Sequence, residues 1–237
     1  MKVIIIGATS GIGRAVAEAY LAKGAIIGIT GRRLSLLQEI QSTAPNSFHV
    51  AEMDVANIEE SLNTLASLIE TMGGVDILII NAGVGYVKAT LAQEISTVDI
   101  NVRGFTALAR YAFDYFTEKG SGHLVGVSSV AAVKSSPYAP EYHASKAYMS
   151  SYMEGIRLRS AKWKHNVAVT DIRPGFVETA MTESNKNMFW VAKPEVAANY
   201  ILKAIEQKKK VAYITPRYWF LAQFLKVIPD WLMVKVM

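Results

Sequence analysis

Short apolar runs recur along the chain, and longer stretches of helical periodicity separate them. The runs are KVIII (2–6), AIIGIT (25–30), FHVAEM (48–53), VDILII (75–80), HLVGVS (123–128), NVAVTDI (166–172) and VAYIT (211–215). Several are apolar at nearly every position. A strand with one wet face alternates polar and apolar side chains, so a continuous run predicts a strand buried on both faces. Between the runs lie amphipathic segments such as GRAVAEAYLAKG, IEESLNTLASLIETM and AYMSSYMEGIRLRSAKW. Strand alternating with helix predicts parallel strands joined by right-handed crossovers. The pattern therefore predicts an α/β fold, a doubly wound seven-stranded parallel sheet with helices on both faces. With no linker and no internal repeat, residues 1–237 read as one domain. Ligands in such sheets bind beyond the carboxyl ends of the strands. The residues that follow each run are thus the candidates for chemistry.

After the first run comes GATSGIG, with Gly7, Gly11 and Gly13, and with Ser10 and Ile12 between them. Glycine permits close backbone approach and positive φ. A helix begins near Ile12, and its free N–H groups attract a pyrophosphate. The turn predicts a dinucleotide cradle; the competing reading is a tight turn with nothing bound. No lysine follows the last glycine, so it is not a P-loop. After the second run comes TGRR, where Gly31 stands in place of the acidic residue that would bind ribose hydroxyls. Arg32 and Arg33 suit a 2′-phosphate and so favour NADP over NAD, unless they are only a solvated helix start. Asp54, followed by Val55, is placed to meet the adenine, or else to cap the helix of IEESL. Asn81, Ala82 and Gly83 follow the fourth run. Small residues there let a ribose lie against the backbone, although NAG is also a plausible turn.

Two Tyr-x-x-x-Lys pairs occur, Tyr115 with Lys119 and Tyr142 with Lys146. Each pair shares a helix face. The first lies late in a helix, at the end away from the glycine turn, and reads as structural. The second follows the fifth run, whose end carries Ser129. A free phenol titrates at about 10, too high for efficient acid–base work near neutrality. An adjacent ammonium and an oxidised nicotinamide would both lower it. Tyr142 could then protonate a carbonyl oxygen as hydride arrives, with Ser129 holding that oxygen. Lys146 would also bind the nicotinamide ribose. Asn101 in DINVRG either holds a water that resupplies the proton or is a buried amide at a helix kink.

These motifs together resemble the short-chain dehydrogenase/reductase family, over essentially the whole chain. The glycine motif matches at Gly7, Gly11 and Gly13, and the N-A-G motif at Asn81, Ala82 and Gly83. The catalytic set matches at Asn101, Ser129, Tyr142 and Lys146, with the family's usual thirteen residues from serine to tyrosine. The resemblance also covers RPGFVET, and implies that Pro174 and Gly175 line the nicotinamide while Val177 and Thr179 contact its carboxamide. The arginine after the second run resembles the NADP-preferring branch. The usual threonine before the first glycine is Ile6 here. The glycine-rich end of many relatives is also replaced, by YITPRYWFLAQFLKVIPDWLMVKVM. A tetramer built on that end is therefore not implied, whereas a homodimer through helices near 103–119 and 142–163 is. The expected activity is an NADP-dependent oxidoreductase acting on a carbonyl or alcohol. A non-catalytic dinucleotide-binding regulator, or an epimerase or dehydratase on the same fold, are the alternatives.

Composition refines this in three places. The chain lacks cysteine, which excludes disulfides and thiolate metal sites and fits a reducing, cytoplasmic setting. No targeting peptide and no metal are expected. The net charge of +5 falls entirely after residue 202, where seven basic residues face two acidic ones. The body carries no excess, so no nucleic-acid partner is expected. Residues 176–193 are expected to form a lid, with Met181, Met188, Phe189 and Trp190 as apolar wall over a lipophilic substrate. In the tail, 217–237, positions 221, 224, 225, 228 and 232 recur at helical spacing. That stripe would pack on the body or a dimer partner, or lie on a membrane surface as a peripheral contact. Lys226, Pro229 and Asp230 interrupt it, so it does not predict a span.

Overall fold

Side chains alternate across the first strand, and this alternation sets the two layers of the fold. In the computed structural model, which describes residues 1–183 and 188–236, β1 (Lys2–Ile6) turns Val3 and Ile5 to one face and Ile4 and Ile6 to the other. All four are fully buried. The other strands are β2 (Ile26–Gly31), β3 (Phe48–Glu52), β4 (Ile77–Ile80), β5 (Gly122–Val127), β6 (Val167–Pro174) and β7 (Val211–Ile214). They form one parallel sheet in the order β3-β2-β1-β4-β5-β6-β7. Every expected strand is present, with no end displaced by more than two residues. The fourth starts at Ile77, and the Asp76 carboxylate just before it accepts from the Lys2 N–H at 2.9 Å.

The helices among the described residues are α1 (Gly11–Leu21), α2 (Leu34–Thr43), α3 (Ile58–Thr71), α4 (Leu91–Val98), α5 (Phe105–Lys119), α6 (Pro140–Lys162), α7 (Pro194–Glu206), α8 (Arg217–Val227) and α9 (Asp230–Val236). Residues of α1, α2 and α7 bury one face of the sheet, and residues of α3, α5 and α6 bury the other. This double cover is what the continuous apolar runs require. A capping box closes the start of α4, where the Thr90 hydroxyl accepts from Gln93 N and the Gln93 side chain accepts from Thr90 N at 2.9 Å. Between α4 and α5 the chain widens into a π-helical stretch, Asp99–Gly104. Gly104 is needed there, since a Cβ would lie 2.2 Å from the Val55 carbonyl oxygen.

The chain order reverses between β1 and β4, and the crevice opens at their carboxyl ends. Tyr115 and Lys119 lie at the other end of the sheet. Lys119 Nζ donates to Val75 O at 2.6 Å and to Asp76 Oδ1 at 2.8 Å, and Val75 N donates to the Tyr115 hydroxyl at 3.4 Å. That pair ties the end of α5 to the start of β4. The α8 helix is anchored by Tyr218 and Ala222, both fully buried, and Ile228 and Met233 are buried beyond it. The expected tail stripe is thus only partly inward: Ile228 is buried, Leu221, Leu225 and Leu232 are half-buried, and Phe224 is exposed. Among the described residues no helix is long and apolar enough to cross a membrane.

Two glycines make opposite predictions about this packing. A Cβ at Gly122 would sit 2.0 Å from the ring of the buried Phe116, whereas one at Gly155 in α6 would meet nothing within 4 Å. Gly122→Ala should cost about 1–3 kcal/mol through overpacking. Gly155→Ala should add about 0.5–1 kcal/mol by removing helix-glycine entropy. Urea unfolding of the two variants checks the opposite signs.

Candidate active site

The glycine turn is shaped by what it must pass. Gly7 has φ of +87°, and a Cβ on it would lie 2.6 Å from the Ala82 backbone. A Cβ on Gly13 would lie 2.2 Å from Gly7 O, so Gly13 sits behind the loop and lets α1 close on it. The Asn81 side-chain N–H donates to Gly7 O at 2.6 Å, which braces β4 against β1. Ser10 holds the N-cap position of α1 with an extended backbone, but its side chain makes no cap bond. Among the described residues the first-turn amides thus receive no cap from Ser10. A cavity of about 320 Å³ opens over them, with Ser10, Gly11, Ile12 and Thr179 on its wall. Thr179 packs directly on the turn, where a Cβ on Gly11 would be 2.8 Å from its methyl group. Backbone donors at a helix start, with glycine wherever a side chain would intrude, fit a pyrophosphate.

The two arginines after β2 separate in role. Arg33 donates to Thr9 Oγ1 at 2.6 Å and to Ser10 Oγ at 2.9 Å, and so holds the glycine turn. Arg32 is exposed on the cavity wall and makes no hydrogen bond or ion pair among the described residues. Asp54 and Val55 line the same wall. The Asp54 carboxylate accepts from Ala56 N at 3.1 Å, while Asn57 takes the N-cap position of α3; the cap alternative for Asp54 is therefore not what forms.

At the other end of the cavity lie Asn81, Ala82, Gly83, Ser129, Tyr142, Lys146, Pro174, Gly175 and Val177. Ser129 follows β5, and its hydroxyl accepts from Ala131 N at 3.1 Å and donates to Pro174 O at 3.4 Å. Pro140 starts α6 and places Tyr142 and Lys146 one turn apart on its inner side. Lys146 is 4% exposed, with Nζ donating to Val127 O at 3.1 Å and lying 5.7 Å from the Tyr142 ring centroid. Burial pushes the Lys146 amine down to about 8, and the charge of Asp171 opposes the shift. Burial also pushes the Tyr142 phenol up, and the Ser129 hydroxyl lowers it by less. Of the two causes expected to lower the phenol, the ammonium does not outweigh burial: the hydroxyl end is desolvated, which disfavours the phenolate. A protonated phenol is the form that a proton donor needs.

Asn101 does not reach the cavity wall. It is fully buried within the π-helical stretch, where Oδ1 accepts from Val84 N at 2.9 Å and Nδ2 donates to Val84 O at 2.7 Å and Ser145 Oγ at 3.0 Å. The amide clamps the loop after β4 to α6. It nonetheless approaches the lysine: a Cβ on Gly83 would be 3.1 Å from Asn101 Oδ1 and 3.3 Å from Lys146 Nζ.

Several residues were not singled out from the sequence. Gly85 lies against the Tyr142 ring, where a Cβ would meet Cδ2 at 2.6 Å. The second glycine of NAGVG was its only signal. Tyr218 of α8 covers Gly175, with a Cβ there falling 2.0 Å from its ring, and its hydroxyl donates to Phe189 O at 2.7 Å and accepts from Phe176 N at 3.1 Å. The expected lid covers 176–193, of which 184–187 lie outside the described residues. Met181 lines the cavity, but Phe189 and Trp190 pack against Tyr218 instead, one tilted and one edge-on, with centroids 6.2 and 5.8 Å away. Met188 is half-buried and is not part of the cavity wall.

One cavity thus joins the glycine turn to a serine, a phenol and a buried amine at the carboxyl edge of the sheet. Such a set can hold an oxygen atom and pass it a proton. Known proteins identify the family. The family described as short chain dehydrogenase matches residues 1–189. An uncharacterized oxidoreductase of Mycobacterium tuberculosis is 30% identical over 96% of this chain and 94% of its own length. One of Staphylococcus aureus is 31% identical over 88% and 92%. In fold, the chain superposes on a serine dehydrogenase complexed with NADP+ (TM-score 0.78, 24% identity, 90% and 94% coverage). It likewise superposes on a 3-ketoacyl-(acyl-carrier-protein) reductase of Brucella melitensis complexed with NADH (TM-score 0.82, 21% identity, 90% and 95% coverage). The chain belongs to the short-chain dehydrogenase/reductase family and is an oxidoreductase of that family.

Proposed function

We propose that the enzyme is an NADP-dependent oxidoreductase that interconverts a carbonyl and a secondary alcohol. The observation that carries this reading is the placing of Ser129, Tyr142 and Lys146 in the same cavity as the glycine turn. A bound nicotinamide would supply or accept the hydride. Ser129 would hold the substrate oxygen by a hydrogen bond. Tyr142 would give its proton to that oxygen as the C=O π bond becomes a C–H and an O–H bond, or take it back in the reverse direction. The buried ammonium of Lys146 would stabilise the phenolate left behind and donate to the nicotinamide ribose. Asn101 supports this by fixing the backbone at Val84 and the start of α6. Pro174, Gly175, Val177 and Thr179 would frame the nicotinamide, and Asp54 and Val55 the adenine.

NADP is favoured over NAD because Arg32 stands unpaired on the cavity wall while Arg33 is committed to the turn. A lipophilic substrate is favoured by the apolar lining that Met181, Val84 and Val177 provide beside the catalytic groups. A homodimer through α5 and α6 is supported by side chains exposed on α6, among them Tyr148 and Leu158. The cysteine-free sequence suits a cytoplasmic setting.

One feature of the tail favours peripheral membrane contact as well. Phe220, Phe224, Val227, Trp231 and Val234 are 70%, 55%, 76%, 64% and 80% exposed, and they recur four, three, four and three residues apart. Phe220, Phe224 and Val227 lie on the side of α8 opposite the anchored Tyr218 and Ala222, and Trp231 and Val234 continue the exposed apolar surface on α9. Arg217, Lys226 and Lys235 flank it, and Asp230 is paired with Lys134 at 2.7 Å. Aromatic and aliphatic side chains framed by cations suit an anionic lipid surface, to which each nearby lysine contributes about 1 kcal/mol.

Three measurements test these readings. Tyr142→Phe should abolish turnover while leaving NADPH affinity within a few-fold, and Tyr115→Phe should stay active; equal losses in both would sink the assignment. Arg32→Ala should weaken NADPH binding by roughly one to two decades, the worth of a charge-assisted bond, and leave NADH binding unchanged. Equal wild-type affinity for the two cofactors would contradict the NADP reading. Full-length protein should sediment with phosphatidylserine-containing vesicles at low salt and be released at high salt. Changing Phe220, Phe224 and Trp231 together to serine should prevent this without unfolding the protein, and a wild type that stays in the supernatant would refute membrane contact.

A further inference from the structure

A carboxylate that the mechanism above does not use lies behind the catalytic groups. Asp171, on β6, is 1% exposed. Its Oδ1 accepts from the Ser128 hydroxyl, and its Oδ2 accepts from the Ser150 hydroxyl at 2.6 Å and from Arg173 Nε at 2.8 Å. Ser128 directly precedes Ser129 at the end of β5. Ser150 lies one helical turn beyond Lys146 on α6. Arg173 also donates to Ser150 and, at 2.9 Å, to the Tyr213 hydroxyl on β7, and it directly precedes Pro174. The side chain of Asp171 is thus bonded to each of the two elements that carry the catalytic groups, and through Arg173 to the turn proposed to frame the nicotinamide.

We propose that Asp171 is a positioning residue of the active site, one that joins the serine-bearing strand end to the helix of Tyr142 and Lys146 and places a fixed negative charge behind the lysine. The inference rests on the reading of Ser129, Tyr142 and Lys146 as the catalytic set. Ordinary strand contacts do not explain such a group, because Val167 and Val169, which face the same layer from β6, are apolar. A carboxylate costs much to bury and is retained here with three donors. Its position matters for charge as well as for bracing. Lys146 has lost its water, and the groups that face it are the Tyr142 ring on its own helix, the Val127 carbonyl on β5, Asn101 from the π-helical stretch and Asp171 on β6. Asp171 is the ionised group among them that favours the ammonium. Around Asp171 itself stand Ser128, Ser150 and Arg173, with Tyr213 behind the arginine.

The sign of the effect follows. Without the Asp171 charge, desolvation of Lys146 acts unopposed, and Arg173 is left as an uncompensated cation nearby. Both favour the neutral amine, so Lys146 gives up its proton at lower pH. The test uses full-length D171N with NADPH and a ketone or aldehyde that the wild type reduces. D171N should bind NADPH within a few-fold of wild type and lose roughly 10- to 100-fold in kcat, as small misplacements of reacting groups do. The alkaline limb of its kcat/KM profile should move to lower pH by about one unit. A folded D171N enzyme whose alkaline limb stays at the wild-type position overturns the proposal, whatever its melting temperature. If D171N does not fold, S150A and S128A each remove one joining bond while keeping the carboxylate. Both should lower kcat with NADPH affinity and the alkaline limb unmoved, and wild-type kcat in both overturns the proposal. An active Y142F would instead sink the catalytic assignment itself, so the two failures are distinguishable.

Discussion

A lysine amine held out of water is the constraint on which this active site depends. Lys146 is 4% exposed, and an isolated ammonium so placed would discard its proton. It is kept useful by groups that arrive from three directions: the Val127 carbonyl from β5, the Tyr142 ring from its own helix and the Asp171 carboxylate from β6. Each of these needs the doubly covered parallel sheet, because only there do strand ends and an inner helix face converge away from solvent. The glycines have the same logic. Gly7, Gly83 and Gly85 stand where a Cβ would strike Ala82, crowd Asn101 and Lys146, or strike the Tyr142 ring.

Much of this was legible in the sequence. Apolar runs without alternation fixed the strands because burial on two faces leaves no polar position, and Ile4 and Ile5, facing opposite layers, show the rule in one pair. The glycine turn and Ser129 were legible because they follow β1 and β5, and Tyr142 and Lys146 because a four-residue spacing puts them on one face of α6, which borders the same cavity. Asp171 and Ser150 were not. A lone acid in an apolar run and a serine in a helix carry no local mark of a partner 21 residues away in the chain. Tyr142 was legible in place but not in electrostatics, since burial of its hydroxyl is a tertiary property. Asn101 is a buried amide at an irregular helix turn, bonded to Val84 and Ser145, and such pairing across the fold has no mark in the sequence.

The tail shows where periodicity misleads. Helical spacing marked 221, 224, 225, 228 and 232 as one apolar stripe, but α8 is apolar on two sides. Tyr218 and Ala222 take the inner side, and Phe224 belongs to the outer one with Phe220 and Val227. A stripe count cannot choose between two apolar faces. The choice is made by Gly175, whose missing side chain leaves room for the Tyr218 ring and so fixes the rotation of the helix. The same ring holds Phe176 and Phe189, so the tail and the segment flanking the cavity are one packed unit.

The central claim is that this cavity performs net hydride transfer rather than merely holding a dinucleotide. The most direct measurement follows the absorbance of NADPH while the wild-type protein meets a panel of ketones and aldehydes, with products analysed in parallel. The account predicts loss of NADPH matched mole for mole by alcohol. Tight NADPH binding with no turnover across the panel, or product formed without any net change in NADPH, would contradict it.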